Sequence, residues 1–151
     1  MTNQIEIRCS KETDALELEE ISSLCFSEPW KAQDFLDTMR LSNARIFSAV
    51  YKESVIGYVV LYFAADEGEM PSIAVRTEFA RQGAASLLMQ EVLVLAEIKQ
   101  LGKIFLEVRR SNCAAIGLYV KNGFICVGER CDFYRNPTED ALLMMCPLTL
   151  L

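Results

Sequence analysis

The sequence predicts an α/β domain in which a mixed β-sheet carries helices on both faces. Three observations lead there. Seven strand-like and four helix-like segments follow one another in the order β-α-α-β-β-β-α-β-α-β-β. Two of the strand-like runs are joined by a tight polar turn at Lys52 and Glu53, which reads as a hairpin. Further on, a long helix separates two strands, and a crossover of that length makes the flanking pair parallel.

Each element has its own signal. Gln4 to Cys9 alternates apolar and polar residues, and Glu12 to Phe26 then sets Ala15, Leu18, Ile21 and Leu24 or Cys25 at helical spacing. Pro29 breaks the chain before a short helix from Lys31 to Arg40. Arg45 to Tyr51 and Ser54 to Phe63 are the two arms of the hairpin, and Glu69 to Val75 is the next strand. From Gln82 to Gln100 a stripe of Ala84, Leu88, Val92 and Leu95 with Ala96 marks the long helix, with Gly102 as its natural stop. Lys103 to Val108 is a strand and Ser111 to Asn122 a helix closed by Gly123. Phe124 to Phe133 and Ala141 to Met145 are the last strands.

One domain over residues 1–151 is the simplest organisation, because there is no internal repeat, low-complexity tract or Pro/Gly/Ser-rich linker. A chain of this size buries about 70% of the surface that its unfolded form exposes, so a core needs no disulfide or metal. The longest uncharged apolar stretch, Ser54 to Ala65, falls short of the ~20 residues that span a bilayer. Together with an early charged residue at Glu6, this leads us to expect a cytoplasmic protein with no membrane partner, as a monomer or weak homodimer. The formal charge of −6 argues against nucleic acid and suits a cationic substrate. Six cysteines without a CxxC pair read as buried free thiols, and no metal site is expected. The absence of histidine excludes Ser-His-Asp and Cys-His nucleophile systems. Proton transfer is left to carboxylate, tyrosine, lysine or cysteine.

Two segments carry chemistry. The first is Arg76-Thr-Glu-Phe-Ala-Arg-Gln-Gly-Ala-Ala-Ser-Leu-Leu, where a loop of small residues enters the long helix. Unpaired amides at a helix N-terminus bind phosphate oxygens, Gly83 lets a ligand approach the backbone, and Arg81 can add a charge-assisted contact. Gly83 and Ala85 can equally serve tight helix-sheet packing. The stretch has neither GxGxxG nor a Lys-Ser/Thr pair, so it is not a Rossmann or P-loop turn.

The second is Leu106-Glu-Val-Arg-Arg-Ser-Asn-Cys-Ala-Ala-Ile-Gly-Leu-Tyr-Val-Lys-Asn-Gly-Phe, a strand passing into a helix. Glu107 stands within an otherwise apolar strand, where partial burial raises a carboxyl pKa. Asn112, Ala115 and Tyr119 share one helix face, which lets Tyr119 point toward the end of that strand. An exposed glutamate and a core tyrosine are the alternatives.

Pro29-Trp30, Ile73-Ala74-Val75, Arg81-Gln82-Gly83-Ala84-Ala85, Leu106-Glu107-Val108-Arg109, Ser111-Asn112, Leu118-Tyr119 and Gly123-Phe124 together resemble the GCN5-related N-acetyltransferase superfamily, in particular its bacterial ribosomal-protein alanine acetyltransferases. The match spans nearly the whole chain. The resemblance implies a mostly antiparallel sheet of about seven strands, with one parallel pair forming an acetyl-CoA groove. It implies that Ile73, Ala74 and Val75 line the acetyl and pantetheine arm, that Arg81, Gln82, Gly83, Ala84 and Ala85 take the pyrophosphate, and that Asn112 also contacts the cosubstrate. By the same resemblance Glu107 is the general base, Tyr119 the general acid, and Trp30, Phe133 and Tyr134 bind the acceptor. Two positions depart from the pattern. Ala80 removes a side-chain contribution to phosphate binding, and Phe133 lacks the hydroxyl that relatives carry. The activity implied is acetylation of the N-terminal alanine of a basic small-subunit ribosomal protein. Another protein N-terminus, a small amine, or an acyl-CoA-binding module without turnover are the alternatives. An α-amine, with a pKa of about 8 against about 10.4 for lysine, asks less of a carboxylate base.

Overall fold

The computed structural model describes residues 4–148. At the hairpin turn, Lys52 and Glu53 both take positive φ, 48° and 69°. That is the conformation whose twist matches the flanking strands, and a two-residue polar loop leaves the chain little else. The arms are β2 (Ala44–Tyr51) and β3 (Ser54–Ala64). With β1 (Glu6–Cys9), β4 (Glu67–Val75), β5 (Lys103–Arg109), β6 (Ile125–Tyr134) and β7 (Glu139–Pro147) they form one sheet in the order β1-β2-β3-β4-β5-β7-β6. Every neighbouring pair is antiparallel except β4 with β5, the pair flanking the long helix.

Helices cover both faces. On one, α1 (Ala15–Cys25) and α2 (Ala32–Met39) bring Leu18, Ile21 and Phe35 against Ile46, Val55, Tyr58 and Val60. On the other, Leu88, Met89, Val92 and Ala96 of α3 (Ala84–Ile98) pack on Val59, Leu61, Ile104 and Leu106, and Tyr119 of α4 (Cys113–Lys121) joins them beside Phe124. A fully buried side chain of this kind contributes roughly 1.5–3 kcal/mol over its exposed state, against the entropy of ordering it.

Several sequence expectations are corrected in detail. The buried stripe of α1 ends at Ile21 and Ser22, whereas Leu24 and Cys25 are exposed. Ser22 takes the inner position because its hydroxyl accepts the Trp30 amide at 2.9 Å, which fixes the chain reversal before α2. The long helix starts at Ala84, two residues later than Gln82, and its left-handed stop is Gln100 (φ 56°), ahead of Gly102. Leu101 is then buried and its amide returns to the Ala96 carbonyl, and that apolar anchor holds a non-glycine residue in the strained position. Gly123 does close α4, with φ 96° and the Phe124 amide bonded to the Tyr119 carbonyl at 3.0 Å. Of the six cysteines only Cys146 is buried. The others lie on the outer strands β1 and β6 or at helix ends, where the sheet has no second layer to cover them.

Candidate active site

The parallel pair is short. β4 and β5 are joined only at Glu67 with Lys103, Gly68 with Ile104 and Glu69 with Phe105, and beyond these they part. A bulge in β4 accompanies the separation: Tyr62 pairs with Glu69 and Val60 with Ser72, so that Leu61 alone faces Met70 and Pro71. Pro71 has no N–H to lose, and the extra residue bends the strand. Ile73, Ala74 and Val75 remain paired with β3 on one edge, and their other edge faces the opening.

Glu107 lies in the parting segment of β5, between Leu106 and Val108, which turn into the core. Strand alternation therefore places its carboxylate on the opposite face. There it lines a cleft of about 390 Å³ with Tyr62, Glu69, Phe105, Arg130 and Leu143. Its Oε2 is 2.5 Å from Nε of Arg130, and that buried oxygen has no aligned hydrogen bond. Burial raises the Glu107 pKa above the ordinary carboxyl value, Arg130 opposes the rise, and the Glu69 charge adds to it.

Tyr119 is only 6% exposed, with its ring 5.8 Å from that of Phe124. Burial, then the neighbouring Tyr134, push its phenol well above its usual pKa, so it keeps its proton. Glu107 and Tyr119 share no hydrogen bond, and the Tyr134 phenol lies near both. The Tyr134 phenol is pushed up to about 12, first by burial and then by the Glu107 charge. Under it Arg109 stacks on the ring at 4.6 Å and donates to the Arg135 and Pro137 carbonyls and to Ser27 Oγ.

At the start of α3, Arg81 and Gly83 both have left-handed backbone, φ 63° and 87°. No side chain caps the helix, and a Cβ at Gly83 would meet nothing within 4 Å. Open space therefore borders the free first-turn amides of Ala84 and Ala85, and these residues fit a pyrophosphate group. The Gln82 side-chain amide donates to the Glu78 carbonyl at 3.4 Å. Asn112 is the N-cap of α4, and its Oδ1 accepts the Ala115 amide at 3.2 Å.

The sequence-selected acceptor residues are spread out. Trp30 lines a second cleft of about 450 Å³ with Asp34, Asp37, Thr38 and Tyr62, so Tyr62 is common to both clefts. Phe133 is 46% exposed, edge-on to Tyr134. Glu69, Tyr62 and Arg130 escaped the sequence reading. Glu69 carried a usable signal, a second carboxylate at the start of the strand that flanks the long helix; Arg130 carried none, since its partner is set by strand order.

The family model for the acetyltransferase (GNAT) family matches residues 15–124. The N-alpha-acetyltransferase of Sulfurisphaera tokodaii is 30% identical over 158 residues, covering 96% of this chain and 94% of the relative. The [ribosomal protein bS18]-alanine N-acetyltransferase of Escherichia coli K12 is 29% identical over 126 residues, covering 81% and 83%. A crystal structure of the ribosomal-protein-S18-alanine N-acetyltransferase from Escherichia coli superposes with a TM-score of 0.89 at 25% identity, over 98% of this chain and 96% of that one. With the parted β4/β5 pair and the uncapped turn before α3, these matches establish that the chain belongs to the acetyltransferase (GNAT) family.

Proposed function

We propose that the protein acetylates the α-amino group of a polypeptide that begins with alanine, the N-terminus of a small-subunit ribosomal protein. Acetyl-CoA supplies the acetyl group as an activated thioester. The observation that carries the reading is the Glu107 carboxylate, set in an open cleft beside the gap between β4 and β5. The names of the similar enzymes above support the choice of acceptor.

The chain's own groups divide the work. Glu107, whose pKa burial raises above the ordinary carboxyl value, takes the proton of the acceptor ammonium. Tyr119, which keeps its proton, is the donor to the leaving thiolate. The free edge of β4 at Ile73, Ala74 and Val75 offers main-chain N–H groups to the carbonyl oxygen on which charge develops. Ala84, Ala85 and Gly83 hold the pyrophosphate through amides, with Arg81 adding charge, and the Asn112 amide nitrogen is a further contact. Glu67, Glu69 and Glu107 in one cleft, and Asp34 and Asp37 in the next, attract a cationic acceptor, with Trp30, Phe133 and Tyr134 as its aromatic contacts.

Mass spectrometry of products from two peptides tests the reading, one led by a free alanine and one N-terminally blocked with free lysines. The first should be acetylated on its α-amine and the second left unmodified. Modification mainly on lysine would remove the N-terminal assignment.

A further inference from the structure

We propose that Arg130 is a positioning residue for the acetyl transfer: its guanidinium holds the Glu107 carboxylate ionised in the acceptor cleft and so keeps it able to take a proton. The inference rests on Glu107 being the base.

The geometry is unusual in reach. Arg130 belongs to the edge strand β6, and β7 stands between it and β5. Neighbouring strands are about 4.8 Å apart, so the side chain crosses roughly 9–10 Å of sheet. The crossing is possible because the β7 residue in register with Arg130 is Ala141, which offers only a methyl group, and the same alanine pairs with Arg109 on β5. Arg130 then meets Glu107, two residues from Arg109 along β5, at 2.5 Å.

The surroundings make that cation necessary. Glu67 and Glu69 on β4 line the same cleft, and of these Glu67 is paired with Lys103 at 3.4 Å; Leu143 on β7 is apolar, and Tyr134 on β6 is neutral. Arg109, two residues along β5, is committed to Glu139 at 3.2 Å. Among the described residues Arg130 is therefore the cation paired with Glu107, against burial and a like charge. Two carboxylates in one site without a cation do not both ionise readily. A protonated Glu107 could accept nothing from an acceptor ammonium. Arg130 has a 56% exposed side chain, so the contact is not a packing requirement.

The test reads Glu107 directly. Protein carrying ¹³C at glutamate carboxyls is titrated by NMR, with the Glu107 signal identified by its loss in Glu107→Gln. In Arg130→Gln the Glu107 midpoint should rise by about one pH unit or more, and in Arg130→Lys it should move by only a few tenths. Glu69→Gln should move it the opposite way. In parallel, the acid limb of kcat/KM for an alanine-led peptide should shift upward in Arg130→Gln by the same amount, with turnover returning toward the parent's at high pH. A Glu107 midpoint unchanged in a folded Arg130→Gln protein would overturn the proposal, as would a shifted midpoint with an unshifted acid limb. If the midpoint moves and the parent acetylates no alanine-led peptide, the hold of Arg130 on Glu107 stands and the acceptor assignment falls.

Discussion

The guanidinium of Arg109 lies 4.6 Å from the centre of the Tyr134 ring and fastens it between two loops. The same side chain donates to Ser27 Oγ between α1 and α2, to the Arg135 and Pro137 carbonyls between β6 and β7, and pairs with Glu139. Arg109→Met should therefore loosen the aromatic wall of the acceptor side without touching α3. We expect KM for an alanine-led peptide to rise roughly tenfold, equivalent to about 1.4 kcal/mol, with CoA affinity unchanged. Lysine should not restore it, because a point charge cannot make the planar fork. An unaltered KM in steady-state assays would contradict this role.

Replacement of Glu107 by glutamine keeps its size and removes the base. Turnover at neutral pH should fall by roughly 10²- to 10⁴-fold, and the defect should ease at high pH, where the acceptor amine is already neutral. In the parent, the raised Glu107 pKa moves the acid limb upward from the ordinary carboxyl value, and activity is lost as pH falls through the Glu107 midpoint. Near-parent turnover of the glutamine variant would exclude Glu107 as the base.

Tyr119→Phe should behave differently. The hydroxyl has no hydrogen bond to the described residues and the ring stays packed on Phe124, so stability should change little. The loss of turnover should persist at high pH, since the thiolate still lacks a donor. Profiles of rate against pH identical to those of Glu107→Gln would undo the division of labour.

At the phosphate turn, Gly83→Ala inserts a methyl where the free protein has open space, so no clash precedes ligand binding. The left-handed φ of 87° adds strain of about 1 kcal/mol. CoA should bind at least tenfold more weakly by calorimetry, whereas a pantetheine analogue without phosphates should be much less affected. Equal losses for both ligands would displace the phosphate cradle from this turn.

A stability prediction concerns Asp14, far from the acceptor cleft. Burial alone would raise its pKa, but hydrogen bonds from Arg8, the Lys11 amide and Ser48 outweigh it and leave it lowered. A lowered folded-state value stabilises the protein above the unfolded pKa of about 3.9, and that stability is lost as pH falls through the folded value. Asp14→Asn should cost about 2 kcal/mol at neutral pH in urea unfolding and flatten the acid dependence of stability.

What the chain determined by itself was local. Element order, the turn at Lys52 and Glu53, the break at Pro29 and the closing glycine of α4 follow from periodicity and capping, which depend on residues within a few positions of one another. Glu107 also announced itself locally, as a lone charge in an apolar strand, and so did the run of small residues at Gly83. The partners of those groups were decided only in three dimensions. Arg130 reaches Glu107 because β7 inserts between β5 and β6 and presents Ala141 at the crossing point, a register that no spacing along the chain encodes. Glu69 joins them because a bulge at Met70 and Pro71 opens the sheet there, and five cysteines are exposed because outer strands and helix ends leave one side uncovered. The base could be found from sequence; its electrostatic environment could not, since charge neighbours are set by strand order and not by sequence distance.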